Sequence, residues 1–301
     1  PSLRQRVLIA AMCGAGSDDP RQIDGLGGAD PLTSKVAVVA PSTRPGVDLD
    51  YEFVQVVVGK NATDGTQNCG NLLAGVVPFA IEAGLLSATD GETRARVYLI
   101  NSESVCEVVV QTPGRRVEYA GSAKIDGAPG TAAPILCHYL DTAGSACGVL
   151  LPTGNLTDVI DGVRVTCIDN GMPVVLLRAA DVGRTGYETP AQLNADSELK
   201  TKLERIRLLA GPLMKLGDVA KKVVPKMCLI APPQAGGVGQ TRTFIPHVCH
   251  AAIGVLGAVS VATACVIPGT VADGVAVRPP QGGVYSVEHP SGEFTVTLEI
   301  N

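Results

Sequence analysis

Short runs of β-branched and aromatic residues, separated by turns such as RPG, TDG and TPG, recur along both halves of the chain. Such runs are typical of strands. The strands predicted in the first half are 34–40, 51–59, 95–101, 106–112 and 116–121. Those predicted in the second half are 163–169, 173–179, 226–232, 241–246 and 293–300. The run at 34–40 is apolar on both faces, which predicts a central strand.

Two longer segments are apolar on nearly every side, and a third is amphipathic. The segment 69–84 predicts a buried helix that is kinked at Pro78 and ends at Gly84. The run 251–267 predicts a second buried helix rather than a membrane span. Helical spacing of apolar residues in 196–217 predicts a surface helix, with Leu199, Leu203, Ile206, Ala210 and Leu213 on its inner face.

The two halves therefore share one pattern, although their residues show no repeat. A helix that is apolar all round must be enclosed, and a curved sheet wrapped around it would enclose it. We predict an α+β fold of two similar domains, 1–145 and 146–301, each with a mostly antiparallel sheet and a central apolar helix. A cleft between two such domains is a common position for a small-molecule site.

Composition and charge limit the classes of protein to which this chain can belong. The 301 residues are 46% apolar, enough for a sizeable core, and only 3% aromatic, with no Trp. The net charge is −5 without a basic stripe, so neither nucleic acid nor a membrane is an expected partner. Neither a G-x-S-x-G elbow nor a dinucleotide-binding G-x-G-x-x-G is found, which excludes serine hydrolase and Rossmann interpretations.

Nine cysteines are scattered along the chain, without a C-x-x-C pair or a short-spaced Cys/His cluster. A disulfide scaffold or a zinc ribbon would show closer spacing. This usage is typical of a reducing compartment, so we expect a cytoplasmic protein with no metal site.

Cys69 lies where the first buried helix should begin. Free N–H groups and the helix dipole would favour a thiolate there, or would bind a substrate carboxylate. Its neighbours Gln67, Asn68 and Asn71 are polar, which weighs against a core position. From the residues alone, a reactive thiol and a core cysteine remain equal alternatives.

Lys35 lies at the junction between the glycine-rich turn GLGGADPLTS and the strand that follows it. The turn precedes a strand rather than a helix, so it does not match a phosphate loop. At the mouth of a central strand the lysine would be drawn into a cleft and could act as a general base. The alternative is an ordinary lysine in solvent at a strand edge.

Three further stretches contain candidate ligand groups. The tight polar turns 151–155 and 169–173 could hold carboxylates through backbone N–H groups, although plain turn chemistry explains them equally well. Arg242, His247 and His250 gather at the start of the second buried helix and could form an anion pocket. A metal site there lacks a nearby carboxylate.

The motif QNCGN and the two-helix layout resemble the diaminopimelate epimerase superfamily. In that fold, two pseudo-symmetric domains each wrap strands around a central helix. Epimerases carry a cysteine at the start of each helix, whereas the second helix here opens HAAIGVLGA and Cys249 lies just before it. The resemblance therefore implies an unlike acid/base pair and a double-bond isomerase rather than a racemase or epimerase.

Colinear blocks along nearly the whole chain resemble the branch that holds methylitaconate isomerase, methylaconitate isomerase and 4-oxalomesaconate tautomerase. The blocks are IDGLGGADPLTSKVAVV, QNCGNLLAGVVPFAIE, LPTGN, IDNGMP and HAAIGVLGAVSVATACVIPGT. In that branch the lysine of TSK and the cysteine of NCGN are the acid/base pair, and these match Lys35 and Cys69. The branch's N-terminal RGGTSK-type strand and its C-terminal tail are not found here, so we expect a shortened form of a longer protein.

The resemblance implies a cofactor-free 1,3-allylic proton shift in a small unsaturated polycarboxylate. The block TRTFIPHVCHAAIGVLGAVSVATAC is most similar to 4-oxalomesaconate tautomerase, which implies that keto tricarboxylic acid and a role in ring-cleavage catabolism of aromatic acids such as gallate and protocatechuate. Isomerisation of 2-methylaconitate or methylitaconate is one alternative, and a non-catalytic accessory or binding module on the same fold is another.

Lys35 is the expected base and Cys69 the expected proton donor or enolate support, an order that the sequence leaves open. The sequence also leaves the oligomeric state open, and a homodimer is compatible with it. The expected substrate-binding residues are Thr33, Ser34, Asn68, Gly70, Asn71, Thr153, Gly154, Asn155, Asn170, Met172, Arg242, His247, His250 and Gly254.

Overall fold

The chain forms two compact units in the computed structural model. The structure describes residues 2–14, 18–30, 32–65, 68–278 and 283–298. The first unit comprises Pro1–Ala123 and Ala132–Asp141, and the second comprises Lys124–Thr131 and Thr142–Asn301. This division groups the short segment 124–131 with the second unit, which a single boundary after residue 145 does not do.

The first unit is built on a six-stranded sheet in the order β1-β2-β4-β5-β6, with β3 paired to β2. Its strands are β1 (Lys35–Pro41), β2 (Leu49–Val56), β3 (Thr63–Asp64), β4 (Gly91–Leu99), β5 (Ser104–Thr112) and β6 (Ile135–Leu140). β2 and β4 pair in parallel, and the other pairs are antiparallel. The predicted strand at 116–121 is wrong, because that segment has no strand pairing, and β6 was not predicted.

The described residues of this unit form three α-helices: α1 (Leu3–Cys13), α2 (Gly70–Leu73) and α3 (Val76–Glu82). The predicted single helix over 69–84 is therefore two helices, and the break falls before Pro78 rather than at it. Pro78 is the third residue of α3, where a backbone N–H has no partner within the helix. Gly84 follows α3 with φ +71°, as expected for a left-handed helix end.

The apolar face of α2 and α3 packs on the sheet. Leu73, Val76, Val77 and Ala80 share one core with residues of β2, β4 and β5, and residues of β1 and β6 border the same core. Because the two edge strands, β1 and β6, border the same core, the sheet curves around these helices. The helices are not fully enclosed, however, because Phe79 is 53% exposed.

β1 is an edge strand, so the prediction of a central strand at 34–40 is wrong. Its residues 35–39 are nevertheless half-buried, because α2 and α3 both contact β1. The apolar residues on both faces of β1 therefore reflect contact with two helices rather than a position between two neighbouring strands.

The second unit is built on a seven-stranded sheet in the order β13-β12-β11-β10-β9-β8-β7. Its strands are β7 (Asp158–Ile160), β8 (Val163–Asp169), β9 (Pro173–Arg178), β10 (Lys226–Ala231), β11 (Gly239–Phe244), β12 (Val284–His289) and β13 (Gly292–Thr297). The pairs β9–β10 and β11–β12 are parallel, and the others are antiparallel. The five predicted strands of this half are present, whereas β7 and β12 were not predicted. Residues 299 and 300 of the last predicted strand lie outside the described residues.

The helices of this unit are α4 (Pro190–Ala195), α5 (Ser197–Leu213) and α6 (Val255–Val266). α6 is mostly buried and contacts β8, β9, β12 and β13, as predicted for the second apolar helix. α5 buries its predicted apolar face against β8 to β10, except that Leu213 is 52% exposed. In the described part of the chain no helix is long and apolar enough to cross a membrane.

Arg207 on α5 binds the segment between α5 and β10 through hydrogen bonds. Its side chain is fully buried, and Nη1 donates to the carbonyl oxygens of Val219, Lys222 and Val224 at 2.9, 3.0 and 3.1 Å. Nε also pairs with the Glu204 carboxylate at 2.7 Å. One guanidinium thus satisfies three carbonyl groups of the chain between α5 and β10.

Replacing this guanidinium, in Arg207→Met, should lower the free energy of unfolding by about 3 kcal/mol, because buried carbonyl groups lose their donor. Urea denaturation followed by circular dichroism measures the loss. Arg205→Met is the matched control on the same helix: Arg205 is exposed and pairs with Asp161 at the surface, so its loss should stay within about 0.5 kcal/mol. Equal effects of the two variants would contradict the assignment.

Candidate active site

Lys35 and Cys69 meet although they are 34 positions apart in the sequence. Lys35 is the first residue of β1, and Cys69 directly precedes α2. Because α2 contacts β1, the amine reaches the thiol: Lys35 Nζ donates to Cys69 Sγ at 3.7 Å. Both residues are half-buried, so the pair is shielded but not sealed from solvent.

Cys69 is the N-cap residue of α2, as predicted, and its backbone is extended, with φ −125° and ψ 105°. The helix has only four residues, so its dipole is much smaller than the sequence suggested. The group that lies next to the sulfur is the Lys35 amine. Gly70 and Asn71 are the first two residues of α2, and Gln67 lies outside the described residues.

Tyr51 fixes the backbone at Cys69. Its side chain is fully buried in β2, and its hydroxyl donates to the Cys69 carbonyl oxygen at 3.2 Å. Burial, and after it the charge of a Cys69 thiolate, raises the pKa of the Tyr51 phenol. The phenol therefore stays protonated and remains a donor at neutral pH.

The chain before Cys69 is tied to the turn between β4 and β5. Asn68 Nδ2 donates to the Ser102 hydroxyl at 2.5 Å, whereas Asn68 Oδ1 is buried and has no hydrogen-bond partner among the described residues. Asn101 donates to the carbonyl oxygens of Phe53 and Gly65 at 2.9 and 2.8 Å. These bonds hold the segment that carries Cys69 against β2.

Tyr139 on β6 packs against the same core as Cys69, and sequence reasoning missed it. Its hydroxyl oxygen is buried and has no hydrogen-bond partner among the described residues, although the residue as a whole is only half-buried. Burial is the main cause that raises the pKa of its phenol, followed by the neighbouring groups of Cys137, Cys106, Cys69 and Tyr51. No local sequence signal marks Tyr51 or Tyr139, because each occupies an ordinary strand position.

Thr33 and Ser34 use their hydroxyl groups inside the turn before Lys35. Thr33 donates to the Gly27 carbonyl oxygen at 2.5 Å, and Ser34 is placed 2.8 Å from both that oxygen and Gln22 Oε1. Gln22 and Ser34 are buried. This network orients the start of β1, so both residues position Lys35 whether or not they also contact a ligand.

The turn 151–155 in the second unit is closed on itself. The Thr153 hydroxyl and Asn155 Nδ2 both donate to the Asp158 carboxylate at 2.7 Å. The Gly154 N–H donates to the Leu151 carbonyl oxygen at 2.9 Å. The groups predicted to hold a carboxylate are thus engaged within the turn.

Asn170 and Met172 join the turn after β8 to α6. The Asn170 N–H donates to the Ser260 hydroxyl oxygen at 3.1 Å, and its Nδ2 donates to Thr263 at 2.8 Å. Ser260 in turn donates to the Met172 carbonyl oxygen at 2.7 Å. The polar turn predicted here therefore anchors the buried helix.

Arg242, His247 and His250 have different partners. Arg242 is buried in β11, donates to the Glu188 carbonyl oxygen at 2.6 Å, and has its pKa lowered mainly by burial. His247 is exposed and lies 3.6 Å from the Glu204 carboxylate. His250 Nδ1 accepts from the Ala252 N–H at 2.8 Å.

Gly254 is the N-cap residue of α6. Within the described ranges, no group of three or more His, Cys, Asp or Glu side chains could hold a metal ion. The contacts of Arg242, His247 and His250 given above do not test the expected anion pocket, which stays a prediction.

A family model described as PrpF protein matches residues 2–301. The chain belongs to the PrpF family. Among PrpF-type relatives, the (4E)-oxalomesaconate Delta-isomerase of Novosphingobium sp. (strain KA1) is 58% identical over 300 residues, which are 99% of this chain and 83% of the relative. The 4-oxalomesaconate tautomerase of Pseudomonas putida KT2440 is 56% identical over 301 residues, 99% of this chain and 82% of the relative.

Solved structures agree with this assignment. A crystal structure of methylitaconate-delta-isomerase matches with a TM-score of 0.82 and 32% identity, covering 100% of this chain and 84% of that one. A probable proline racemase from Agrobacterium radiobacter K84 matches with a TM-score of 0.53 and 12% identity, over 98% of this chain and 76% of that one, which shows the fold alone. The predicted diaminopimelate epimerase-like fold and isomerase class are confirmed.

Removing the Tyr51 hydroxyl, in Tyr51→Phe, should lower the free energy of unfolding by about 1 kcal/mol, because the Cys69 carbonyl loses a buried donor. Urea denaturation gives the value. Tyr119→Phe is the control, since the Tyr119 side chain is 55% exposed and its hydroxyl contacts Glu82 at the surface. If Tyr51→Phe unfolds at the wild-type urea concentration, this hydrogen bond does not support the site.

Proposed function

We propose that the protein is a cofactor-independent isomerase that moves a carbon–carbon double bond of 4-oxalomesaconate by a 1,3-proton shift. The observation that carries the proposal is the 3.7 Å contact between Lys35 Nζ and Cys69 Sγ. Two groups that can each hold one proton stand side by side, which is what a proton shift along one molecule needs. The substrate follows from relatives that are 58% and 56% identical and carry oxalomesaconate in their names.

The reaction begins when the neutral Lys35 amine removes the proton that lies between the keto carbon and the alkene of the substrate. The carbon–hydrogen bond breaks, a nitrogen–hydrogen bond forms, and the electron pair spreads into a dienolate. Fixed hydrogen-bond donors aimed at the developing oxyanion stabilise that charge. The ammonium formed at Lys35 adds a positive charge close to the same place.

The Cys69 thiol then delivers its proton to the far carbon of the allylic unit, and the double bond moves. The sulfur–hydrogen bond breaks as the new carbon–hydrogen bond forms. The ammonium of Lys35 returns the first proton to the thiolate across their 3.7 Å contact. Substrate and product have the same composition, and both residues end in their starting states.

Methylitaconate and 2-methylaconitate are the second candidate substrates. The relatives include a 3-methylitaconate isomerase of Eubacterium barkeri at 34% identity and a 2-methyl-aconitate isomerase of Shewanella oneidensis at 32%. Both are more distant than the oxalomesaconate enzymes, which favours the keto acid.

We also place the protein in the cytoplasm, because none of its nine cysteines, all in the described part of the chain, forms a disulfide.

Lys35→Met and Cys69→Ser should each reduce the isomerisation of 4-oxalomesaconate more than about 1000-fold, since each removes one of two proton carriers. Ultraviolet absorbance follows turnover, and proton NMR in deuterium oxide follows deuterium entering the substrate. Lys60→Met is the control, because Lys60 is an exposed lysine of the same unit. Wild-type turnover by either site variant would show that the pair is not the catalytic centre.

The substrate itself is tested by incubating wild-type protein separately with 4-oxalomesaconate, 2-methylaconitate and methylitaconate. We expect the largest kcat/KM for 4-oxalomesaconate, because its keto group acidifies the proton to be moved. A larger value for either methyl-substituted acid would reassign the substrate. No spectral change or deuterium exchange with any of the three would instead favour a non-catalytic binding module.

A further inference from the structure

Some buried polar atoms of the first unit have no hydrogen-bond partner in the described part of the chain. Two of them are the hydroxyl oxygen of Tyr139 and Oδ1 of Asn68, the residue directly before Cys69. Buried polar groups are nearly always hydrogen-bonded, so each such atom in a folded protein requires an explanation. One of the two belongs to the residue before a half-buried thiol, and the other belongs to a residue that packs against the same core as that thiol. This combination indicates a place where a polar ligand completes the hydrogen bonding.

The fold brings Tyr139 to this place from the far edge of the sheet. β6 and β1 are the edge strands of the path β1-β2-β4-β5-β6, yet Tyr139 and Cys69 both pack against the same apolar core. Tyr139 lies opposite Cys106 on β5, and the Cys106 sulfur is directed to the Glu107 carbonyl oxygen at 3.7 Å. That thiol does not satisfy the Tyr139 hydroxyl.

The two atoms select the chemistry of the ligand. Tyr139 offers a hydrogen-bond donor, because burial raises the pKa of its phenol, and Asn68 Oδ1 is an acceptor only. A carboxylate could satisfy the donor but not the acceptor. An enol oxygen can do both, since it accepts one hydrogen bond and donates another.

We propose that Tyr139 is a further catalytic residue, whose hydroxyl donates a hydrogen bond to the oxygen that the substrate's keto group becomes as it enolises. We propose also that Asn68 accepts from the enol form of that oxygen, which takes its proton from the Lys35 ammonium and returns it to Lys35 as the far carbon is protonated. This inference rests on the proposed isomerisation of a keto acid. No covalent bond of Tyr139 breaks: its O–H polarises the keto group while Lys35 takes the carbon-bound proton. Together, Tyr139 and Asn68 would also favour keto acids over unsaturated acids that lack a keto group.

The deciding variant is Tyr139→Phe, which keeps the ring and removes only the hydroxyl. We expect kcat with 4-oxalomesaconate to fall about 100-fold, as for the loss of one oxyanion donor, and KM to change less than about threefold. Deuterium exchange into the substrate should slow by the same factor, because both processes pass through the enolate.

Measurements of stability distinguish a catalytic role of Tyr139 from a structural one. A hydroxyl that has no protein partner contributes nothing to folding, so Tyr139→Phe should unfold at the wild-type urea concentration or above it. Tyr119→Phe, which removes an exposed hydroxyl of the same unit, should keep both kcat and stability. A loss of kcat that comes with lower stability would assign Tyr139 a structural role and overturn the proposal.

The remaining outcomes distinguish the two proposals. If wild type isomerises 4-oxalomesaconate, Lys35→Met and Cys69→Ser are inactive, and Tyr139→Phe keeps the wild-type kcat, the role of Tyr139 is overturned while the proposed function stands. If wild type does not isomerise 4-oxalomesaconate, both proposals are overturned. Reduced kcat at unchanged stability, with Tyr119→Phe active, supports the assignment.

Discussion

The contact between the Lys35 amine and the Cys69 sulfur is the interaction on which the proposed chemistry depends, and the first unit holds both groups in place for it. An amine and a thiol from distant parts of the chain stay at contact distance only if both backbones are fixed. Buried hydrogen bonds of Ser34 and Gln22 fix one side, and the Tyr51 hydroxyl fixes the other. The curved sheet around α2 and α3 supplies the frame that joins the two supports.

Much of this architecture could be predicted, because strand and helix periodicity reports burial. The same property caused the errors: β1 reads as central because helices cover an edge strand, and the break before α3 was attributed to a proline that fits the first turn. α1 was missed although Ser2 and Gln5 form a capping box, a signal that the sequence does contain.

The residues of the candidate site also fall into some that could be predicted from sequence and some that could not. Local chemistry left Lys35 and Cys69 undecided, and the likeness to a known branch paired them, because their approach is created by the fold. Tyr51 and Tyr139 could not be found from sequence, since the fold brings their distant strands to the core against which Cys69 packs. Polar turns such as 151–155 look like ligand sites from sequence, but their side chains also close the turns themselves.

The edge position of β1 also affects the dynamics of the lysine. A strand paired on one side has fewer backbone hydrogen bonds to break than β2 or β4, which are paired on both sides. Local opening of such a segment requires less free energy than unfolding of the whole unit. Lys35 lies at the start of an element with strand pairing on one side only, so its position depends on the buried hydrogen bonds of Ser34 and Gln22 rather than on a second neighbouring strand.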